Sequence, residues 1–234
     1  MTPQTLVLFD IDGTLLHASG IGRVATERAL IEIFGTAATF ATYQLSGKTD
    51  WHTLRHLLIP EGYTEESIEQ AIPRYSDALG RHMVAVREQY KITALPGALE
   101  LVRALRARPD VVMGIITGNM PPAATIKLEA AGFNLADFAV AVYGSEAPVR
   151  RQLMPIAIDR AEKHCSKRFM SLEIAIVGDT LEDIDCAHSI GARAIAVATG
   201  IVKRAELEKH QPVTVLDNLS DTDAALAAIL GDAY

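Results

Sequence analysis

Short apolar runs alternate with stretches of helical periodicity over most of this chain. Apolar runs of this length are too short for buried helices and are typical of buried strands. They occupy residues 6–9, 111–116, 138–142, 174–177, 194–197 and 213–216. Between them, apolar residues recur at helical spacing over 98–106, 121–131, 153–164 and about 183–189. This alternation predicts an α/β fold, in which a parallel sheet is covered by helices on both faces.

A long helical interval separates the first predicted strand from the second. Residues 15 to about 92 show helical patterns and almost no strand pattern. Helices are predicted over 23–34, over 50–58 and from 64 toward 90, the last with a possible break at Pro73. The sequence therefore predicts two domains. These are an α/β core of residues 1–14 and 95–234, and a small all-helical cap of residues 15–94 inserted after the first strand.

The composition excludes some classes of function. The chain has 234 residues, 49% of them hydrophobic, and a net charge of −7 from 22 basic and 29 acidic residues. The acidic balance, without a long cluster of lysine or arginine, argues against nucleic acid or an anionic membrane as the main partner. No apolar run approaches the length of a membrane span, and the N-terminus lacks a signal-peptide pattern, so we expect a cytoplasmic enzyme or binding protein. Cys165 and Cys186 are expected to be reduced thiols.

Two aspartates follow the first predicted strand. Asp10 and Asp12 stand two residues apart, so their carboxylates point the same way if the chain stays extended. Gly13 then permits a sharp turn or a close backbone approach to a ligand, and Thr14 follows it. Two acids held together repel each other unless a cation or a proton lies between them. The alternative interpretation is an ordinary strand-to-turn junction.

A hydroxyl and a glycine amide follow the second predicted strand. Thr117, Gly118 and Asn119 stand between that strand and a helix that begins with Pro121. A hydroxyl, a glycine amide and a helix N-terminus together suit an anion, although these residues are also compatible with a simple turn. In a parallel sheet, ligands bind at the edge where the strands end. We therefore expect this segment to lie beside the two aspartates.

Further acids and an arginine pair stand at later strand ends. Asp179 and Asp183 lie four residues apart, and they share a face if that stretch is helical. Acids that only favour a helix N-terminus are the alternative. Arg150 and Arg151 are the basic pair in the loop after the strand at 138–142. Oxygen ligands without histidine or cysteine suit Mg²⁺, and Mg²⁺ beside an anion pocket suits a phosphate ester.

These four segments resemble, in order and spacing, the four motifs of the haloacid dehalogenase superfamily, over essentially the whole chain. The helical insert after the first motif resembles the branch that contains phosphoglycolate phosphatases and β-phosphoglucomutase. The resemblance implies a Rossmann-like core with a helical cap. It also implies a Mg²⁺-dependent phosphatase that hydrolyses a small, phosphoglycolate-like monoester through an aspartyl-phosphate intermediate.

The resemblance further implies a role for each motif residue. Asp10 is then the nucleophile, and Asp12 is the general acid/base, whose backbone carbonyl also binds Mg²⁺. Asp179 is the acidic metal ligand and Asp183 supports it, so the implied metal site is Asp10, Asp12, Asp179 and Asp183. Thr117 and Asn119 hold the phosphoryl oxygens. The whole implied substrate-binding set is Gly13, Thr14, Thr117, Gly118, Asn119 and Lys48.

The third motif departs from the superfamily pattern, which usually has a lysine, often before a proline. Residues 143–155 contain no lysine. Arg150 stands at the head of the helix predicted from 153 and resembles the arginine of some phosphatase-like members, so it is the preferred candidate. Arg151 is its competitor. An arginine there can pair with both the nucleophile and a phosphoryl oxygen.

A lysine in the insert is the candidate for substrate specificity. Residues 47–50 resemble the cap loop that reaches the substrate in phosphoglycolate phosphatase-like members. Lys48 is a candidate for binding the substrate's carboxylate or another anion, and a surface lysine beside a helix N-terminus is an equal alternative. His17, His52 and His56 are interpreted as hinge, surface or helix residues rather than as ligands.

The leading hypothesis is a Mg²⁺-dependent phosphatase that closes its cap over a small phosphorylated metabolite. A phosphomutase of the β-phosphoglucomutase type is the alternative, because it shares the motifs and returns the phosphoryl group to a sugar. A non-catalytic phosphate-binding protein is a remote alternative. Neither nucleic acid nor a membrane is an expected partner, and both a monomer and a homodimer remain open.

Overall fold

Six parallel strands form the central sheet of this computed structural model, which describes residues 5–231. The strands of the described residues are β1 (Thr5–Phe9), β2 (Leu16–His17), β3 (Thr93–Ala94), β4 (Val111–Ile116), β5 (Val140–Val142), β6 (Ile174–Gly178), β7 (Arg193–Val197) and β8 (Thr214–Leu216). The central sheet has the order β5-β4-β1-β6-β7-β8, and each neighbouring pair is parallel. The predicted α/β fold is confirmed.

Helices cover both faces of this sheet. The α-helices within residues 5–231 are α1 (Ile21–Phe34), α2 (Asp50–Leu58), α3 (Glu65–Val86), α4 (Ala98–Arg106), α5 (Pro121–Ala130), α6 (Leu153–Cys165), α7 (Leu181–Ser189), α8 (Arg204–Lys209) and α9 (Thr222–Leu230), of which the first three lie in the insert. Val7 and Phe9 of β1 pack on the face of α4, α5 and α9, whereas Leu6 and Leu8 pack on the face of α6, α7 and α8. Within residues 5–231, no helix is both long and apolar enough to cross a membrane.

In the helical insert, α3 continues past the position where the sequence suggests a break. The possible break at Pro73 does not occur, because α3 runs unbroken from Glu65 to Val86 with this proline inside it. Proline removes one backbone hydrogen bond. The buried face of α3, including Ile72 and Tyr75 on either side of the proline, packs against α1 and holds the helix together.

A two-stranded antiparallel ribbon joins the insert to the rest of the chain. Leu16 pairs with Ala94 and His17 with Thr93, so the chain leaves and returns through adjacent positions. The sequence did not predict these strands, nor α8 and α9. β5 is also shorter than the predicted strand, since residues 135–137 form a 3₁₀ turn before it. The division into core and cap domains at residues 14 and 95 stays a prediction.

The N-terminus of α2 binds directly to loops at the carboxyl edge of the sheet. The first amides of a helix have no intrahelical partner. Here the amide of Asp50 donates to the carbonyl of Gly118 at 2.7 Å, and that of Trp51 donates to Gly144 at 3.1 Å. In return, the Asp50 carboxylate accepts from the amide of Met120, the residue before α5, at 2.7 Å. The insert therefore contacts the loop that follows β4 through paired backbone and carboxylate bonds.

The pH dependence of stability tests the contact that Asp50 makes with the loop before α5. Burial and the nearby Asp12 raise the pKa of Asp50 to about 6, although the amide of Met120 and the charge of Lys127 lower it. The folded protein then binds more protons than the unfolded chain between about pH 4 and 6, so this group lowers the free energy of unfolding as the pH rises through that window. Asparagine keeps an oxygen that accepts from Met120 but does not ionise.

We therefore expect Asp50→Asn to have a free energy of unfolding about 2–3 kcal/mol above that of the wild type at pH 7, with the two converging near pH 4. Urea unfolding in EDTA at several pH values measures this difference. Asp77→Asn, at an exposed position of α3, is the matched control and should follow the wild type at every pH. If the free energy of unfolding of Asp50→Asn differed from that of the wild type by the same amount at every pH, the raised pKa of Asp50 would be contradicted.

Candidate active site

The ends of three neighbouring strands bring the predicted motif residues together. Asp10 follows β1, Thr117 follows β4 and Asp179 follows β6. β4, β1 and β6 are adjacent in the sheet. Arg150 reaches the same edge from a 3₁₀ turn over residues 150–152, immediately before α6.

Three buried carboxylates form the centre of the site. Oxygens of Asp10, Asp179 and Asp183 lie within 4.8 Å of one another, and all three residues are buried. Arg150 lies against two of them, with its Nη2 2.6 Å from Asp10 Oδ1 and 2.6 Å from Asp183 Oδ1. Arg150 is itself buried, whereas Arg151 is exposed. The structure thus brings together Arg150 and the predicted nucleophile.

Burial and mutual repulsion disfavour the charged forms of these acids. Burial raises the pKa of Asp10 above its ordinary value, and Asp183 and Asp12 raise it further, while Arg150 opposes them. Burial likewise raises the pKa of Asp179 well above its ordinary value, with Asp10 and Asp183 adding to the effect. A cation between these oxygens relieves the repulsion. An all-oxygen donor set of this kind fits a hard divalent cation.

Glycines and a threonine hold Asp179 in the cluster. Gly13 has a φ of +88°, and a Cβ there would lie 2.4 Å from Asp179 Oδ2. On another side, a Cβ on Gly200 would lie 1.7 Å from the same oxygen. Thr14 Oγ1 donates to Asp179 Oδ1 at 2.9 Å. Close backbone approach at these two glycines therefore encloses the carboxylate and fixes its orientation.

Asp183 is positioned by the start of α7. The Thr180 amide and hydroxyl both donate to Asp183 Oδ2, at 3.1 and 2.6 Å, in a capping box. This arrangement turns Asp183 Oδ1 toward Arg150. Asp179 lies before the helix rather than on it. The two acids therefore reach the cluster from different elements and do not share a helix face.

A second polar cluster surrounds Asp12. Its Oδ2 accepts from Lys127 Nζ at 2.6 Å and from Asn119 Nδ2 at 2.8 Å. Lys127 also donates to Asn119 Oδ1 at 2.7 Å. Thr117 Oγ1 accepts from both the amide and the Nδ2 of Asn119, so its own proton remains available to a ligand. This cluster connects the segment after β1 to the segment after β4.

Lys127 is the residue of this site that sequence reasoning missed. It lies in α5 beside the buried residues Ala123, Ala124 and Leu128, and it is itself buried. A lysine on the apolar face of a predicted helix was the available signal, because lysines are almost never fully buried unless they are paired. Asp50 belongs to the cap loop predicted at 47–50, but its contact with Met120 was not predicted.

Both clusters border one cavity of about 510 Å³. The predicted site residues that line it are Asp10, Asp12, Gly13, Lys48, Thr117, Gly118, Asn119, Arg150 and Asp179. Thr14 and Asp183 lie behind this lining, where they contact Asp179 and Arg150. His17 also borders the cavity from an exposed position. The insert borders it through Lys48, whose carbonyl packs so close to Gly118 that a Cβ there would lie 2.0 Å away.

Comparisons with known proteins agree with this arrangement. A family model described as haloacid dehalogenase-like hydrolase matches residues 4–191. The probable phosphatase IndB of Dickeya dadantii (strain 3937) is 24% identical over 97% of this chain and 95% of that protein. The phosphoglycolate phosphatase of Pectobacterium atrosepticum is 23% identical over 91% of this chain and 88% of that protein. A solved hydrolase from Pseudomonas syringae has a TM-score of 0.71 at 24% identity, covering 97% and 100% of the two chains.

The chain belongs to the haloacid dehalogenase-like hydrolases, because the family model matches most of its length. The resemblance inferred from the four motifs is therefore confirmed, and the protein is an enzyme of this hydrolase family. The likeness to the solved hydrolase adds that the fold extends over nearly the whole chain.

Substitutions of Arg150 and of Arg151 are expected to change the stability of the protein by different amounts. Replacing Arg150 by methionine leaves Asp10 and Asp183 buried without their cation, so we expect Arg150→Met to lower the free energy of unfolding by about 3 kcal/mol in EDTA. Arg151→Met removes an exposed charge and should change the free energy of unfolding by less than about 0.5 kcal/mol. Urea unfolding followed by circular dichroism compares the two. Equal losses would mean that Arg150 has no special relation to the acids.

Proposed function

We propose that this hydrolase is a Mg²⁺-dependent phosphatase of small phosphate monoesters, of the phosphoglycolate type. The observation that carries the proposal is the buried cluster of Asp10, Asp179 and Asp183 beside Arg150, at the wall of a cavity that also contains Thr117. A carboxylate nucleophile and a phosphate dianion repel each other, so a site for their reaction needs concentrated positive charge. The phosphatase names of the two relatives support the same reaction class.

Asp10, Asp179 and the backbone carbonyl of Asp12 would hold the metal in this proposal, and Asp183 would support them. When bound, Mg²⁺ neutralises charge on the phosphoryl oxygens and orients them toward the nucleophile. Thr14 contributes by fixing the orientation of Asp179 through its 2.9 Å hydrogen bond.

Asp10 is the nucleophile of the proposed mechanism. One carboxylate oxygen attacks phosphorus, the bond from phosphorus to the ester oxygen breaks, and an aspartyl-phosphate forms. Arg150, 2.6 Å from Asp10 Oδ1, orients the nucleophile and stabilises negative charge as it moves to the phosphoryl oxygens. The Thr117 hydroxyl and the amide of Gly118 serve as fixed donors to those oxygens. Asn119 supports Thr117, since its side-chain nitrogen donates to the Thr117 hydroxyl.

Asp12 transfers protons in both half-reactions. It gives a proton to the departing ester oxygen, and it later takes a proton from the water that attacks the aspartyl-phosphate. Both Asp12 and Asp10 border the cavity. Among the described residues, the Asp12 carboxylate accepts from Lys127 and Asn119, which suits a role distinct from that of the nucleophile.

Lys48 is proposed to bind a negative group on the leaving side of the substrate. It borders the cavity from the insert, and its ammonium lies 5.9 Å from the centroid of the Tyr43 ring. A small anionic metabolite fits such a position, and the phosphoglycolate phosphatase name of one relative supports a carboxylate there. The insert acts as a cap in this proposal and shields the phosphoryl group from bulk water while it reacts.

The proposal predicts hydrolysis of p-nitrophenyl phosphate and of small phosphate monoesters when Mg²⁺ is present. EDTA should abolish turnover, and Asp10→Asn should lower kcat by about 10⁴-fold or more because the nucleophile is lost. Release of inorganic phosphate measures the activity across a panel of small esters. Asp77→Asn serves as the matched control and should keep the wild-type rate. Full activity in Asp10→Asn would show that Asp10 is not the nucleophile.

Two further outcomes separate the alternatives. Conversion of a hexose 1-phosphate to its 6-phosphate without phosphate release would indicate a phosphomutase instead. Stoichiometric binding of phosphate esters with no turnover across the panel would indicate a non-catalytic binding protein.

A further inference from the structure

A buried lysine supports the proton-transferring residue of this site. The side chain of Lys127 is 6% exposed, and its Nζ lies 2.6 Å from Asp12 Oδ2 and 2.7 Å from Asn119 Oδ1. Among residues 5–231, Lys127 is the only lysine in the buried class. Its own helix offers apolar neighbours such as Ala124 and Leu128. A lysine buried in such surroundings needs specific partners, and both of its partners belong to the active site.

Two of the three donors of the Lys127 ammonium are engaged by side chains of the site, those of Asp12 and Asn119. The cation beside the nucleophile is Arg150. The Nζ of Lys127 lies instead near the first turn of α1, where a Cβ on Gly22 would be 3.4 Å away. This position is on the side of Asp12 that faces the insert.

The two donors act on the same oxygen of Asp12. Lys127 Nζ and Asn119 Nδ2 both bind Oδ2, and within the described residues no donor binds Oδ1. Asn119 and Lys127 also bind each other, so the three side chains form a closed triangle. The Asp12 side chain is 40% exposed and borders the cavity. Oδ1 is therefore the Asp12 oxygen that is free to exchange a proton with a ligand in the cavity.

We propose that Lys127 is a positioning residue that, together with Asn119, fixes Asp12 so that Oδ1 gives its proton to the leaving group. The inference rests on the proposed phosphatase function. As the bond from phosphorus to the ester oxygen breaks, its electron pair goes to that oxygen, which takes the proton from Oδ1. Asp12 is left as a carboxylate whose Oδ2 remains bound by the two donors. The attacking water later returns a proton to Oδ1.

The dependence of rate on the leaving group tests this role. A nitrophenolate departs readily without a proton, whereas a more basic phenolate needs one as the bond breaks. The parameter kcat/KM includes only the steps through leaving-group departure, so it excludes the later attack of water. We therefore compare Lys127→Met with the wild type on p-nitrophenyl phosphate and p-methoxyphenyl phosphate, which are similar in size.

We expect Lys127→Met to lower kcat/KM by about tenfold or more for the methoxyphenyl ester, as a part of the 10²–10⁴-fold that a general acid contributes. The nitrophenyl ester should lose no more than about threefold. Lys127→Arg keeps a cationic N–H donor and should recover much of the rate that Lys127→Met loses on the methoxyphenyl ester. Lys163→Met, at an exposed position of α6, is the matched control and should leave both rates unchanged.

A double variant links the effect to Asp12. Asp12→Asn should show the same preference for the nitrophenyl ester, and adding Lys127→Met to it should change the ratio of the two rates by less than about twofold. Circular dichroism and the melting temperature verify that each variant folds. Folding is expected in Lys127→Met because Asp12 is partly exposed and water can solvate its carboxylate.

Two results would overturn the inference without affecting the proposed function. Equal losses on both esters would show that Lys127 binds substrate or maintains structure. Independent, additive effects in the double variant would show that it does not act through Asp12. A wild-type enzyme that hydrolyses neither ester with Mg²⁺ would instead count against the phosphatase function itself.

Discussion

Repulsion among three buried carboxylates is the constraint on which this site depends. Oxygens of Asp10, Asp179 and Asp183 lie within 4.8 Å of one another at the end of the sheet. Arg150 compensates part of their charge, and burial raises the pKa of Asp10 and Asp179. The surrounding backbone holds these groups together against their repulsion. A divalent cation would relieve the repulsion that the arginine leaves.

The two acids after β1 have different partners. Asp10 and Asp12 both border the cavity, as expected for acids two residues apart after a strand. Asp10 lies against Arg150, whereas Asp12 lies against Lys127 and Asn119. The first environment suits a nucleophile beside a cation-binding cluster. The second suits a carboxyl group that is held in one orientation while it exchanges protons.

Features that depend on local pattern could be predicted from the sequence. The six parallel strands follow from apolar runs, and the acids, Thr117 and Arg150 follow from their positions after those runs or before a helix. α9 also had a readable signal, because Asp221 caps an apolar stretch, but it was overlooked. The possible break at Pro73, which does not occur, shows the opposite case, in which tertiary packing against α1 overrides a local preference.

Features that depend on distant contacts could not be predicted in this way. Lys127 and Asp12 are 115 positions apart, and Asp50 and Met120 are 70 apart. Nothing in the neighbouring residues of either pair specifies its partner. The ribbon of β2 and β3 could not be predicted either. Each strand has only two residues, and the two pair because the chain leaves and re-enters the core side by side. The polar residues that stand at the strand ends were therefore predictable, whereas the distant residues that contact them were not.

Binding of Mg²⁺ to the folded protein is the most direct test of the central claim, that the buried acids form a cation site. Isothermal titration calorimetry should detect one Mg²⁺ per wild-type chain without any substrate. Asp179→Asn removes one charge from the cluster and should abolish or strongly weaken this binding, while circular dichroism verifies that the variant folds. Absence of Mg²⁺ binding to the wild type, or equal binding to Asp179→Asn, would contradict the account.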